Sequence, residues 1–388
     1  MLEKTEKKTV YLDNSATTRQ YDAVTEVMLR AARENYGNPS SLHALGLNAE
    51  KEVRAARKTL AASMGCKEEE LYFTSCGTES DNTVLFGAAR AKKRSGKKII
   101  VSAVEHPAIL EPARMLESMG CEIVRIGVDR LCHPDMEQLA AELTEDTVLI
   151  SVMGVNNEAG TIMPIPEIVK LRDDFNRAHG TDIWLHSDCV QAFGKIPIDL
   201  ARSYRGVDMI SLSAHKIHGP KGVGALYLRP GLNLPPYLHG GGQEGGLRSG
   251  TEGLPLIAGF AAACEDKFPT RMQDIAGQTR LKELCRTLVS EIDGVTLLGA
   301  QDAPHIVNLS LPGLRSQGII NCLQTKGIYV SAGSACSKGH RSHVLEAMHL
   351  PPAVIDGSVR ISFCGDNTRE DVDALVSALS EAKKTLKG

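Results

Sequence analysis

The sequence contains no run of about 18 uninterrupted apolar residues, so nothing in it reads as a membrane-spanning helix. Its opening residues, Met1 to Thr9, mix lysine with glutamate and lack the apolar stretch of a secretory leader, so a cytoplasmic protein is expected. Net charge is also scarce. The 44 Lys and Arg nearly balance 47 Asp and Glu, giving a formal charge of -3, too little to draw the chain to nucleic acid or an anionic membrane. The expected partner is a small molecule. None of the ten cysteines stands in a C-x-x-C pair, which withdraws spacing support from zinc-ribbon and thioredoxin-like readings. No metal is expected, and the thiols are expected to be reduced, with one or two carrying chemistry. Internal repeats and low-complexity tracts are absent. What remains is ordinary globular composition, 42% hydrophobic and 23% charged over 388 residues. That length suggests two or three domains.

Between about residues 70 and 230, short β-rich runs alternate with helical patterns, as in β-α units feeding a mainly parallel sheet. Seven strands are predicted, over 71–74, 98–102, 122–126, 147–151, 182–186, 208–212 and 224–228. The intervening stretches 78–90 and 165–172 have apolar residues at three- and four-residue steps, as helices packed on a sheet require. A glycine-rich loop, 240–251, follows Pro235 and Pro236 and marks a boundary. Beyond it the pattern predicts two helices, about 252–267 and 272–292. Strands near 305–310, 328–330 and 358–363 and a terminal helix over about 369–386 follow. Two further helical stretches, about 21–34 and 45–63, lie near the start. The expected division is an N-terminal arm over 1–20, a large domain over 21–255 and a smaller α+β domain over 256–388.

Ligands of open parallel sheets sit at the C-terminal ends of the strands, so polar residues there are the first candidates. SerCysGlyThrGlu (75–79) follows a strand and enters a helix. Its free N–H groups and the Thr78 hydroxyl suit a phosphate, although a capped helix start explains the same residues equally well. Asp188 and Gln191, three residues apart, face one ligand if their turn is helical. Lys216 follows a strand and precedes a glycine-proline turn, with Ser213, His215 and His218 around it. A lysine at a strand end is usually solvated, but these neighbours favour a lowered pKa and a fixed approach, the needs of a Schiff-base amine. An acidic residue about 30 positions upstream on a neighbouring strand would then hold a pyridinium nitrogen protonated.

Eight ordered blocks extend these clues along the chain. They are TyrLeuAspAsnSerAlaThrThr (11–18), GlyAsnProSerSerLeuHis (37–43), PheThrSerCysGlyThrGluSerAspAsn (73–82), AlaValGluHisProAla (103–108), AsnAsnGluAlaGlyThr (156–161), SerAlaHisLysIleHisGlyProLysGlyValGly (213–224), ArgSerGlyThrGlu (248–252) and SerAlaGlySerAlaCysSer (331–337). In content and spacing they resemble the NifS/IscS-type cysteine desulfurases, in the class V aminotransferase branch of the fold type I pyridoxal-phosphate enzymes. The resemblance implies an α/β fold: a large domain with a seven-stranded, mainly parallel sheet covered by helices, and a smaller α+β C-terminal domain carrying a catalytic cysteine loop. It implies pyridoxal 5'-phosphate as cofactor, joined covalently to Lys216. Asp188 would pair with the pyridine nitrogen, Gln191 would reach the ring hydroxyl, and His106 would stack on the ring and serve as acid or base. Gly77, Thr78, Ser213 and His215 would hold the phosphate, with Thr251 supplied by the other subunit of a homodimer. Asn157 would touch the cofactor near its ring oxygen, and Arg360 would anchor the substrate α-carboxylate.

Cys336 is the candidate sulfur carrier. It lies among SerAlaGlySerAla and SerLysGly, small residues with little to bury, which sets it apart from the usual packed cysteine. As a thiolate it would take sulfur from L-cysteine, leaving L-alanine and a persulfide for an acceptor protein, either an iron–sulfur scaffold or a tRNA-thiolating enzyme. A selenocysteine lyase, another C–S lyase or an aminotransferase-like enzyme with the same cofactor is the alternative. Direct nucleic-acid binding is not expected. Cys76 and Cys189 would lie beside the cofactor, where many relatives have Gly or Ala. The chain also departs from the family pattern in lacking one arginine of the glycine-rich loop, at 244–248. A basic residue after the glycine in 362–368 is missing too, and the interval from Cys336 to Arg360 is shorter.

Overall fold

The computed structural model describes residues 9–332 and 341–387. In chain order it begins with β1 (Val10–Tyr11), α1 (Asp22–Glu34), α2 (Ala44–Met64), β2 (Leu71–Thr74), α3 (Gly77–Ala91), β3 (Lys98–Ser102), α4 (Pro107–Ser118) and β4 (Glu122–Ile126). It continues through α5 (Met136–Glu142), β5 (Thr147–Ser151), α6 (Ile165–His179), β6 (Trp184–Asp188), β7 (Met209–Ser213), β8 (Gly224–Leu228) and α7 (Leu254–Ser290). The remainder is β9 (Thr296–Leu298), β10 (Ile306–Ser310), α8 (Ser316–Thr325), β11 (Ile328–Tyr329), α9 (His343–Ala347), α10 (Pro352–Asp356), β12 (Ser358–Ser362) and α11 (Arg369–Lys387).

Seven strands form one sheet in the order β2-β8-β7-β6-β5-β3-β4. All neighbours are parallel except β8, which runs antiparallel to both β2 and β7. Strands β3, β5, β6, β7 and β8 are buried along their whole length, which is why IleIleVal in β3 and ValLeuIle in β5 read as continuous apolar runs rather than alternation. Only β4, at the edge, shows water along most of its length. The expected seven-stranded α/β fold is present.

A second, three-stranded antiparallel sheet, β12-β10-β9, packs with α8, α11 and the end of α7 around its own apolar cluster. Strand β1 pairs in parallel with β11, so Val10 and Leu12 at the start of the chain are buried in this second cluster.

Two details differ from the sequence expectation. Strands β6 and β7 end two and one residues later than predicted, so Asp188 and Ser213 terminate strands instead of following them. The two helices expected after the glycine-rich loop are one 37-residue helix, α7, with Pro269 inside it. A proline removes one backbone donor and normally breaks or kinks a helix. Apolar faces at both ends, Leu254 to Cys264 in the large core and Cys285 and Val289 in the smaller one, hold α7 to its course. Its middle looked like a break because the buried side chains there are Lys267, Gln278 and Lys282. Lys267 is paired with Asp274 at 2.7 Å and Lys282 with the Gln301 carbonyl at 2.8 Å.

Candidate active site

The C-terminal ends of β6 and β7, the start of α3 and strand β12 converge on a cavity of about 380 Å³. Ten of the predicted site residues line it: Gly77, Thr78, His106, Asn157, Asp188, Gln191, Ser213, His215, Lys216 and Arg360. Thr251 does not. It lines a separate hollow of about 180 Å³ with Glu244, Arg248 and Glu252. Cys336 lies outside the described residues, although Ser331 at the start of its block lines the cavity.

Lys216 sits in the single turn that follows β7, with its ammonium donating to the carbonyls of Ser15 and Ala16 at 2.6 and 2.8 Å. Burial, reinforced by the Arg360 guanidinium and opposed by Asp188 and Asp13, brings its pKa down to about 8. The chain around it is clamped to residues 17–21. The Thr18 amide and hydroxyl donate to the His215 carbonyl, the His218 amide donates to the Thr18 hydroxyl, and the His218 ring stacks on Tyr21 at 4.0 Å. His218 is held at a φ of 67°, which this clamp sustains.

Asp188 is buried at the end of β6, beside β7, as the lysine–acid arrangement requires. One carboxylate oxygen accepts from the Val190 amide at 2.9 Å. Burial raises its pKa, while His106, when protonated, and Lys216 favour the ionised form. Behind it, burial and the charge of Asp188 push the Asp81 carboxyl well above its ordinary range. His186, between Ser151 and Ser211 at 2.9 Å each, is kept neutral, its pKa taken down to about 3 by burial. The helical turn after β6 brings Gln191 to the same cavity, where its amide donates to the Ser15 carbonyl at 2.6 Å.

The opposite end of the cavity suits an anion. Gly77 and Thr78 open α3, so their amides have no acceptor within the helix. A Cβ on Gly77 would stand 2.7 Å from Val190 Cγ2, closing the space between the helix end and the turn after β6. The Ser213 hydroxyl is buried without a partner among the described residues. His215 is held by Thr17 at 3.1 Å, and burial brings its pKa to about 4, so it meets an anion as a neutral ring. An unpartnered hydroxyl, free helix-end amides, a depressed lysine and a buried carboxylate together fit an aldehyde cofactor bearing a phosphate and a basic ring nitrogen.

Arg360 is buried in β12, with Nη1 on the Asn157 carbonyl and Nη2 on Asp13, both at 2.9 Å. Its Nε has no partner among the described residues. Two of the five guanidinium donors are used, which leaves donors for a substrate carboxylate. Arg360→Lys keeps the charge but loses the fork, and kcat/KM for an amino acid is expected to fall by about 100-fold, mostly through KM. Steady-state kinetics with the cofactor saturating measures this, and an unchanged KM would contradict the anchor role.

Several participants carried too weak a signal for sequence reading. Asp13, Ser15 and Ala16 belong to a noted block but contribute mainly through main-chain carbonyls or as a counter-ion. Glu158 lines the cavity from a block read for Asn157, and His343 from the interval between Cys336 and Arg360, where no residue was singled out. The glycine-rich loop is tied down despite its missing arginine. Glu244 takes both arms of Arg57 at 2.7 Å and the Phe73 amide at 2.8 Å, and Arg248 pairs with Glu79 at 2.9 Å. Cys189 is buried, with its thiol pushed up to about 12, and is unsuited to attack.

A strand-end lysine facing a buried aspartate on the adjacent strand, with an anion cradle at a helix start, defines a class of amino-acid-processing enzymes. Residues 10–375 match the Aminotransferase class-V family, and the chain belongs to it. Within that family it is a member of the cysteine desulfurases. It is 40% identical to the cysteine desulfurase IscS of Methanosarcina thermophila, over 99% of this chain and 94% of the relative. It is 38% identical to the cysteine desulfurase NifS of Azotobacter vinelandii, over 95% and 90% of the two chains. A solved NifS-like protein superposes with a TM-score of 0.91 at 36% identity, covering 98% of this chain and all of that one. Among the described residues no helix is long and apolar enough to cross a membrane.

Proposed function

We propose that the cavity binds pyridoxal 5'-phosphate on Lys216 and that the enzyme converts L-cysteine to L-alanine, passing the sulfur to Cys336. The observation that carries this reading is the convergence of Lys216, Asp188, Ser213, the α3 start and Arg360 on one cavity. When bound, the cofactor would supply an electron sink that acidifies the amino acid Cα and weakens the bond between Cβ and sulfur. Asp188 holds the ring nitrogen in its protonated form. Gly77, Thr78, Ser213 and His215 take the phosphate, and Gln191 and Asn157 flank the ring oxygen. His106 stacks on the ring as the aromatic wall. Arg360 binds the α-carboxylate and orients Cα over Lys216, whose amine, with its lowered pKa, moves protons there.

The Cys336 thiolate attacks the substrate sulfur. A sulfur–sulfur bond forms, the carbon–sulfur bond breaks with its electron pair moving toward Cβ, and proton uptake there completes alanine. The persulfide then passes to an acceptor protein, an iron–sulfur scaffold or a tRNA-thiolating enzyme. Thr251, which does not line the cavity of its own subunit, fits a homodimer in which each copy completes the other's phosphate site. A cytoplasmic setting accords with chemistry that needs a free thiol, and the nine described cysteines are unpaired.

Replacing Cys336 by alanine is expected to leave the visible cofactor band intact, to abolish labelled persulfide on the protein and to reduce alanine release from L-cysteine by roughly 1000-fold. Turnover of L-selenocysteine to alanine, in which the weaker carbon–selenium bond breaks with its electron pair moving to Cβ and selenium leaves as the element without an attacking thiolate, is expected to survive. Full sulfur delivery to an acceptor by this variant would refute the assigned role.

A further inference from the structure

Three imidazoles line the cavity; His215 is held by Thr17 at its anion end, and His106 and His343 leave opposite hydrogen-bonding groups unused. His106 caps α4, its Nδ1 accepting from the Ala108 amide at 3.1 Å. Its proton therefore sits on Nε2, and the neutral ring offers the cavity an N–H and no lone pair. The Nε2 of His343 stands 2.9 Å from the main-chain oxygen of Glu105. A carbonyl oxygen only accepts, so this nitrogen carries the proton, and Nδ1 keeps a free lone pair with no partner among the described residues. Both rings have the same tautomer, and the nitrogen not bound to the main chain is an N–H in His106 and a lone pair in His343.

The ring of His343 is mounted rigidly. The residue before it, Ser342, caps α9 and donates its hydroxyl to the Glu158 carboxylate. Arg341 forks onto Asp356 at 2.7 and 2.9 Å. Glu105, whose carbonyl receives the ring, is fixed by the Ser102 hydroxyl at 2.5 Å and the Met153 amide at 2.8 Å.

We propose that His343 is the general base that removes the proton from the thiol of the bound amino acid. This rests on L-cysteine being the substrate. As the Cys336 thiolate attacks, the S–H bond breaks, its proton moves to Nδ1, and its electron pair stays on the outer sulfur, so that the product is a persulfide anion. The resulting imidazolium still donates through Nε2 to the Glu105 carbonyl. The other bases around the cavity are less suited. His106 would have to surrender its bond to Ala108, and Lys216 is directed at two carbonyls. A carboxylate such as Glu158 is a weaker base than imidazole, whose ordinary pKa of about 6.5 lies nearer the thiol's, about 8.5.

The test compares two substrates that differ in the need for a base, because a selenol is ionised at neutral pH and a thiol is not. In His343→Gln, which retains a donor for the Glu105 carbonyl, kcat/KM for L-cysteine is expected to fall roughly 100-fold and that for L-selenocysteine to stay within about threefold. His343→Asn gives the same comparison should the glutamine variant fold poorly. An independent reading comes from nitrogen NMR of the cofactor-free protein, with the His343 signals assigned by their loss in the variant. A protonated Nε2 and an unprotonated Nδ1 are expected. Equal losses on both substrates, undiminished cysteine turnover, or the opposite tautomer would each overturn the proposal. Wild-type enzyme inactive on L-cysteine but active on L-selenocysteine would instead overturn the substrate reading, and the base with it.

Discussion

Lys216→Ala protein is expected to lose alanine release from L-cysteine by a factor on the order of 10⁴ to 10⁶, the scale seen when a covalent nucleophile is removed. Borohydride reduction of wild-type enzyme followed by peptide mapping is expected to place a pyridoxyl group on residue 216, and the alanine variant to yield none. A labelled peptide elsewhere, or residual turnover within tenfold of wild type, would refute the assignment. The same lysine sets a pH dependence. Burial and Arg360 favour its free amine, bringing its pKa to about 8, so the reactive form is scarce below that pH and dominant above it. Cofactor-free protein is therefore expected to capture pyridoxal phosphate about tenfold faster per pH unit up to about 8, then level off. An ordinary lysine would keep accelerating to about pH 10.

Asp188→Asn is the second large effect. The amide preserves shape and can still accept from the Val190 amide, but it cannot carry the charge that holds a ring nitrogen protonated. The nearest substitute, Asp81, is buried, and burial disfavours its charged form. We expect kcat to fall about 1000-fold with the cofactor saturating, the upper range for loss of one preorganised electrostatic partner. A loss under tenfold would show that the ring nitrogen is not held by this residue.

Much of this site could be read from the sequence because the chemistry lies where the fold announces itself. Continuous apolar runs located the sheet, and Asp188, Ser213 and Lys216 stand at strand ends or just beyond, where polar residues are conspicuous. Asp13, Ser15 and Ala16 were a different matter. Two of them act through backbone carbonyls that every residue has, and the third through a partner 347 residues away. Pairing across such a distance leaves no local pattern. His343 was hidden for a related reason, since its tautomer depends on a carbonyl of the segment before α4. The continuity of α7 was obscured because its middle is covered by lysine stems and amides rather than an apolar stripe.

Strand β1 and the residues after it touch both halves of the catalytic apparatus, holding Lys216 through Ser15 and Ala16 and Arg360 through Asp13. During synthesis, Asp13 must wait for a partner 347 residues further along the chain. The large sheet has all its strands by Leu228 and is free to form earlier. A nascent chain stalled between Leu228 and Arg360 would thus display a finished large sheet with Lys216 already against Ser15 and Ala16 but without its guanidinium, and competence for turnover waits on β12.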